Sequence, residues 1–192
     1  DNAYFISEED FLEVNKRSKV SQWDVIFGMI GTIGEVYIDR KNQIDYAIKN
    51  VGLFNAGNEI KGKWIFYYLK SKKALEYIHS HRAGTTQEYM TLESLRKFPL
   101  TLPNNNQEMK MIIKILDSIQ DKIELNQRMN KTLEAIGQAL FKHWFIDFEF
   151  PNEKGKPYKS SDGKMIDSEL GEIPNGWDIK LIKELGKVVC GK

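Results

Sequence analysis

NNQEMKMIIKILDSIQDKIELNQRMNKTLEAIGQALFKHWF, residues 105–145, holds no proline and a single glycine, Gly137. Met109, Ile112, Leu116, Ile119, Ile123, Asn126, Asn130, Leu133, Gly137, Leu140 and Trp144 follow one another in steps of three and four. That is the a/d spacing of a heptad seam. Asn104 to Asn106 supply a cap, and Gln107 and Glu108 follow in the first turn. The pattern predicts one helix over 105–147, on the order of 60 Å long at ~1.5 Å per residue. One small domain cannot bury such a length, so the seam calls for a partner helix. Asn126 and Asn130 lie near its middle, where buried asparagines fix register and orientation at a cost in stability. The alternative for this pair is a solvated bend. Six basic and seven acidic residues between 105 and 150 nearly cancel, which suits a solvated outer face.

Upstream, residues 1–104 alternate short apolar strands with glycine-rich turns. WDVIFGMIGTIGEVYI (23–38) reads as two strands around a tight turn, with backbone freedom at Gly28, Gly31 and Gly34. AIKNVGLFNAGNEI (47–60) reads as further strand and loop. WIFYYLKSKKALEYIHS (64–80) predicts a helix with Trp64, Tyr68, Leu75 and Ile78 as its buried stripe. LESLRKFPLTLP (92–103) is expected to end in a strand stopped by Pro99 and Pro103. Downstream, 148–172 is polar and rich in Gly, Ser and Lys and reads as a linker. A new apolar pattern opens at 173–192. The fold class expected is α+β.

A net charge of +1 over 192 residues argues against a purely electrostatic nucleic-acid binder. The single cysteine, Cys190, rules out an internal disulfide and fits a reducing, cytoplasmic compartment. No apolar run approaches the ~20 residues that span a bilayer, so no membrane partner is expected.

Several motifs invite a catalytic reading. GNEIKGKW (57–64) nearly matches a phosphate-binding loop, but Trp64 stands where Ser or Thr must ligate magnesium. GMIGTIG (28–34) lacks dinucleotide-site spacing. His79, His81 and His143 have neither helical metal spacing nor cysteine partners, so no metal is expected. Asp24, Asp39 and Lys41 imitate the two acids and a lysine of a metal-dependent nuclease. Acid-x-lysine triplets nonetheless arise by chance in a chain that is 29% charged.

Between Lys61 and Arg82, six basic residues (Lys61, Lys63, Lys70, Lys72, Lys73 and Arg82) face one acid, Glu76. Such a run can neutralise phosphates, or merely solvate a helix. AGTTQEY (83–89) follows. Glutamine pairs with adenine, and threonine meets several base edges. The candidate DNA contacts are therefore Lys61, Lys63, Arg82, Thr85, Thr86 and Gln87.

In order, WDVIFGMIGTIGEVYI, WIFYYLKS, RAGTTQEYMTLESLRKFPLTLP and the 105–145 helix resemble the specificity subunits of type I restriction-modification enzymes. GEIPNGW (171–177) resembles the opening of a target recognition domain in that family. The resemblance implies a recognition domain lacking its beginning (1–104), a coiled-coil spacer helix (105–147), a linker (148–172) and the start of a second recognition domain (173–192). It implies a non-catalytic subunit that reads a bipartite site on double-stranded DNA. Its partners would be methyltransferase subunits, carrying S-adenosylmethionine, and restriction subunits. No cofactor would bind this chain. Either a cut-down subunit or a natural half-subunit fits, the latter pairing with a second copy through an antiparallel coiled coil. Phe141, Trp144, Phe145 and Phe148 are expected to pack the helix end against a recognition domain, or to dock a subunit. The rival readings are the nuclease and a coiled-coil adaptor that touches only protein.

Overall fold

The computed structural model describes residues 5–190. The blocks expected at 1–104 and 173–192 run beyond these at their outer ends. The chain forms two compact units, Asp1–Asp121 and Lys122–Lys192, divided inside the long helix. The architecture is α+β. Among the described residues no helix is long and apolar enough to cross a membrane.

In the first unit, β1 (Val25–Gly28) is the centre of a three-stranded antiparallel sheet, with β2 (Val36–Ile38) on one side and β3 (Val51–Phe54) on the other. Val25 pairs with Ile38 and with Phe54, and Phe27 with Val36 and Gly52. Alternation along β1 sends Val25 and Phe27 inward. They join Ile38, Phe66, Leu69, Ile78, Met90 and Leu95 in one core. A helix not anticipated from sequence, α1 (Glu8–Ser18), is capped by Ser7 and has no buried residue.

Residues 64–80 differ from the single helix expected. They form the end of α2 (Glu59–Leu69) and all of α3 (Lys72–Ser80). The Ser71 side chain accepts a hydrogen bond from the Ala74 backbone N–H and restarts the helix. The restart changes the inward face: Phe66, Leu69, Ala74 and Ile78 are buried, Trp64 and Tyr68 are half-buried, and Leu75 is exposed. Nor does 92–103 end in a strand. Leu92–Arg96 is a short helix, α4, capped by Thr91, and the chain then runs irregularly to residue 105. Pro99 and Pro103 deny it ladder donors. The Trp64 indole N–H holds it by donating to the Thr101 carbonyl at 3.0 Å.

Gly62 lets α2 lie against the start of β1, because a Cβ there would overlap the Trp23 carbonyl oxygen. Helix propensity alone favours alanine by about 0.8–1.0 kcal/mol. The backbone overlap reverses that sign. Gly62→Ala is expected to cost about 2 kcal/mol in urea unfolding, in the range of overpacked cores.

The long helix α5 (Asn106–Phe141) is 36 residues, followed by a π-helical turn at Lys142–Ile146. Its first turns are already partnered: Met109 and Ile113 are buried, and Ile112, Leu116, Asp117 and Gln120 are half-buried. Further along, the expected seam is open. Ile119, Ile123, Asn126, Asn130, Leu133 and Leu140 are exposed and Trp144 is half-buried. At ~100° per residue, Met111, Ile115, Ile119, Met129, Leu133, Ile136 and Leu140 fall on one face, roughly opposite Met109 and Ile113. All seven are exposed.

In the second unit, the segment read as a linker is folded. Phe148 takes a left-handed conformation (φ 59°) just after the π turn. Pro151 bridges Pro157, and β4 (Met165–Ile166) pairs antiparallel with β5 (Ile173–Pro174). Phe150 stacks on Tyr158 at 4.7 Å and on Trp177 at 5.6 Å, and Phe145 and Phe148 close on the same indole. Phe145 and Phe148 thus pack against the GEIPNGW segment that follows them in sequence. A short helix, α6 (Ile182–Leu185), lies beyond it.

Candidate nucleic-acid interface

Arg82, Thr85, Thr86 and Gln87 lie together on one exposed loop. Ala83 and Tyr89 close it by exchanging both backbone hydrogen bonds, at 2.9 and 2.8 Å. Gly84 (φ 95°) sits at the neck, where a Cβ would overlap the Gln87 carbonyl oxygen. The loop backbone is therefore held while its side chains face outward. Tyr89 also bridges Ile30, and the Met90 N–H donates to the Met29 carbonyl at 2.9 Å. This places the loop beside the β1–β2 turn. Thr32, Ile33 and Glu35 of that turn line a shallow cleft with Arg82, Thr86, Gln87 and Glu88.

The β1–β2 turn is the half of this surface that sequence reasoning missed. Its Gly31 and Gly34 marked a turn, but only the long-range bridge at Ile30 and Tyr89 brings it to the 83–89 loop. The charges of the cleft matter too. Arg82 is paired with Glu88 at 2.9 Å, and Glu35 adds a second carboxylate. Two acids against one paired guanidinium leave the cleft net negative.

The lysines fall elsewhere. Lys61 is exposed in the first turn of α2 and borders an apolar groove with Trp64, Leu100, Leu102 and Met109. Lys63, expected to contact phosphate, is engaged within the chain. Its ammonium pairs with Glu59 at 2.6 Å and Asp117 at 2.7 Å, lies 5.2 Å over the Trp23 ring, and is 16% exposed. Burial alone would lower its pKa, but the hydrogen bonds to Asp117 and Glu59 prevail and hold it above the usual lysine range. Burial, and then the bond to Asp117, likewise push the Tyr67 hydroxyl above the usual tyrosine range.

The residues proposed for nuclease chemistry are engaged otherwise. Asp24 is buried, and its carboxylate accepts from Ser21 N–H at 2.9 Å, Asn55 Nδ2 at 3.0 Å and Ala56 N–H at 2.9 Å. Asp39, also buried, accepts from Lys41 N–H at 2.7 Å and the Tyr46 hydroxyl at 2.6 Å. These donors already fix the oxygens that a cation would need. Among the described residues no group of His, Cys, Asp and Glu could hold a metal ion. Lys41 is exposed, 4.0 Å from Asp45.

Two pinned loops lie beside a small sheet, and the long helix that follows in sequence carries an exposed apolar face. The chain belongs to the family of the type I restriction modification DNA specificity domain, whose model matches residues 2–135. It is similar to the type I restriction enzyme MjaIX specificity subunit of Methanocaldococcus jannaschii, 30% identical over 69% of this chain and 29% of that protein. It is also similar to the HindI specificity subunit of Haemophilus influenzae, 26% identical over 97% of this chain and 52% of the other. The chain thus spans about half the length, or less, of the curated relatives it matches. A solved type I restriction-modification S subunit from M. genitalium resembles it with a TM-score of 0.43 and 19% identity, covering 67% of this chain and 37% of the other.

Proposed function

We propose that this chain is a DNA-reading component of a type I restriction-modification complex, non-catalytic itself, which directs methyltransferase and restriction subunits to a bipartite target. The observation that carries the reading, within the family assigned above, is the pair of tethered turns. Thr85, Thr86 and Gln87 are outward-facing on a backbone that cannot easily collapse, beside Thr32 of the neighbouring turn. Positional rigidity with exposed amide and hydroxyl groups is what direct readout of base edges requires. Residues 1–104 form the reading block, 105–147 the spacer and 173–192 the opening of a second block. The 148–172 segment joins the last two and carries its own small fold. S-adenosylmethionine belongs to the methyltransferase partners. The open face of α5 takes a helix, in this reading that of a second copy lying antiparallel.

The test is co-expression with cognate methyltransferase subunits, followed by mapping of methylated sites. A bipartite motif with a fixed gap is expected. A stable complex that methylates nothing would leave only the adaptor reading. Gln87→Ala is expected to relax one motif position, losing about 1–3 kcal/mol of discrimination against the wrong base. The slope of binding against salt should stay unchanged, because no phosphate contact is removed. A uniform loss on cognate and random duplexes would remove Gln87 from base reading.

A further inference from the structure

The reading block is joined to α5 by more than apolar packing. Asp117, on the fourth turn of the helix, accepts the Lys63 ammonium on one carboxylate oxygen at 2.7 Å and the Tyr67 hydroxyl on the other at 2.6 Å. Lys63 and Tyr67 are successive turns of α2, which packs on β1 and β2. Lys63 is also held from its own helix by Glu59 at 2.6 Å. One turn further along α5, Asp121 lies 3.9 Å from Arg40, which follows β2. The apolar pair Met109 and Ile113 is buried at the start of the same stretch. Two apolar knobs fix how close a helix lies, but they let it slide and pivot. A carboxylate gripped on both oxygens by two turns of another helix sets direction and rotation.

We propose that Asp117 is a positioning residue that fixes the direction in which α5 leaves the reading block, and thereby the gap between half-sites that the assembled complex accepts. The proposal rests on the DNA-recognition reading above and adds the residue that sets its geometry. Sites reachable by a pivoting helix differ by whole base-pair steps in both distance and rotation, so a loosened grip shows as tolerance of wrong gaps. Asp117 is 23% exposed and the Lys63 side chain 16% exposed, so solvent competes little for the grip.

The experiment uses the complete complex with its methyltransferase subunits. It measures binding to duplexes that carry both half-sites at the preferred gap and at gaps one base pair longer and shorter. Asp117→Asn keeps the shape and removes the charge. It is expected to cut the preference for the correct gap about tenfold, or ~1.4 kcal/mol, while the half-site sequences stay the same. Tyr67→Phe removes one of the two bonds and keeps the ring, and is expected to give a smaller cut of the same kind. A merely structural Asp117 would instead lower the melting temperature and weaken all gaps equally, which overturns the proposal. Should Asp117→Asn prove unstable, Tyr67→Phe alone decides by the same criterion. A wild-type complex with no gap preference sinks the spacer reading itself. A wild-type preference that neither variant changes sinks only the role of Asp117.

Discussion

Asp24→Ala is expected to lower the free energy of unfolding by about 3–4 kcal/mol, seen as a reduced urea midpoint for the isolated chain. Asp24 is 1% exposed, and its carboxylate ties the chain just before β1 to the chain just after β3. Ser21 precedes β1, while Asn55 and Ala56 follow β3, and all three donate to it. Each buried donor stripped of its acceptor costs about 1–3 kcal/mol. Water entering the space left by the side chain recovers part of this, so the sum stays below the additive limit. Asp24→Asn should be milder, because the amide retains an acceptor but turns an NH2 toward a donor. The outcome separates two roles for the same residue. A structural carboxylate loses stability on substitution. A metal ligand would lose magnesium-dependent cleavage with the urea midpoint unchanged, and that result would restore the nuclease reading.

The Asp24 case shows where a sequence stops being legible. Asp24, Asp39 and Lys41 have plausible catalytic spacing, and only the folded backbone reveals that Ala56 N–H and the Tyr46 hydroxyl already hold the two carboxylates. The same limit governs Lys63. In sequence it is one of six bases in a run of local positive charge, while its partner Asp117 lies 54 residues away. By contrast, the β1–β2 hairpin and the long helix were legible, because strand alternation and heptad spacing are local signals. The α2–α3 break was missed because one serine cap outweighs an apolar pattern that reads through it. The 83–89 loop stands out by composition, whereas the turn beside it does not. Their adjacency depends on the Ile30–Tyr89 bridge, a pairing across 59 residues that no local pattern records.

The face of α5 supplies the second large expected effect. Met129, Leu133, Ile136 and Leu140 are exposed on one side of the helix, continuing the line of Met111, Ile115 and Ile119. A solvated helix of this length usually carries charge on its open side, and here that side is mainly apolar, with Lys122 and Asn126 between its two halves. Such a band offers a seat for the apolar face of another helix. In a two-fold pair, Leu133→Glu with Ile136→Glu removes four apolar side chains from the interface. At about 1.5 kcal/mol each, the loss is roughly 6 kcal/mol, on the order of 10⁴ in Kd. Sedimentation equilibrium is expected to find a two-chain species for the unaltered protein and a single chain for the double variant. Helix content within each first unit should be unaltered, since Met109 and Ile113 face the other way. A Gln127→Glu control, placed away from the band, should leave the pair intact. An unaltered protein that sediments as one chain at every concentration would exclude the second copy. The band would then fall to the methyltransferase subunits, and the same double variant would be read by loss of their co-purification.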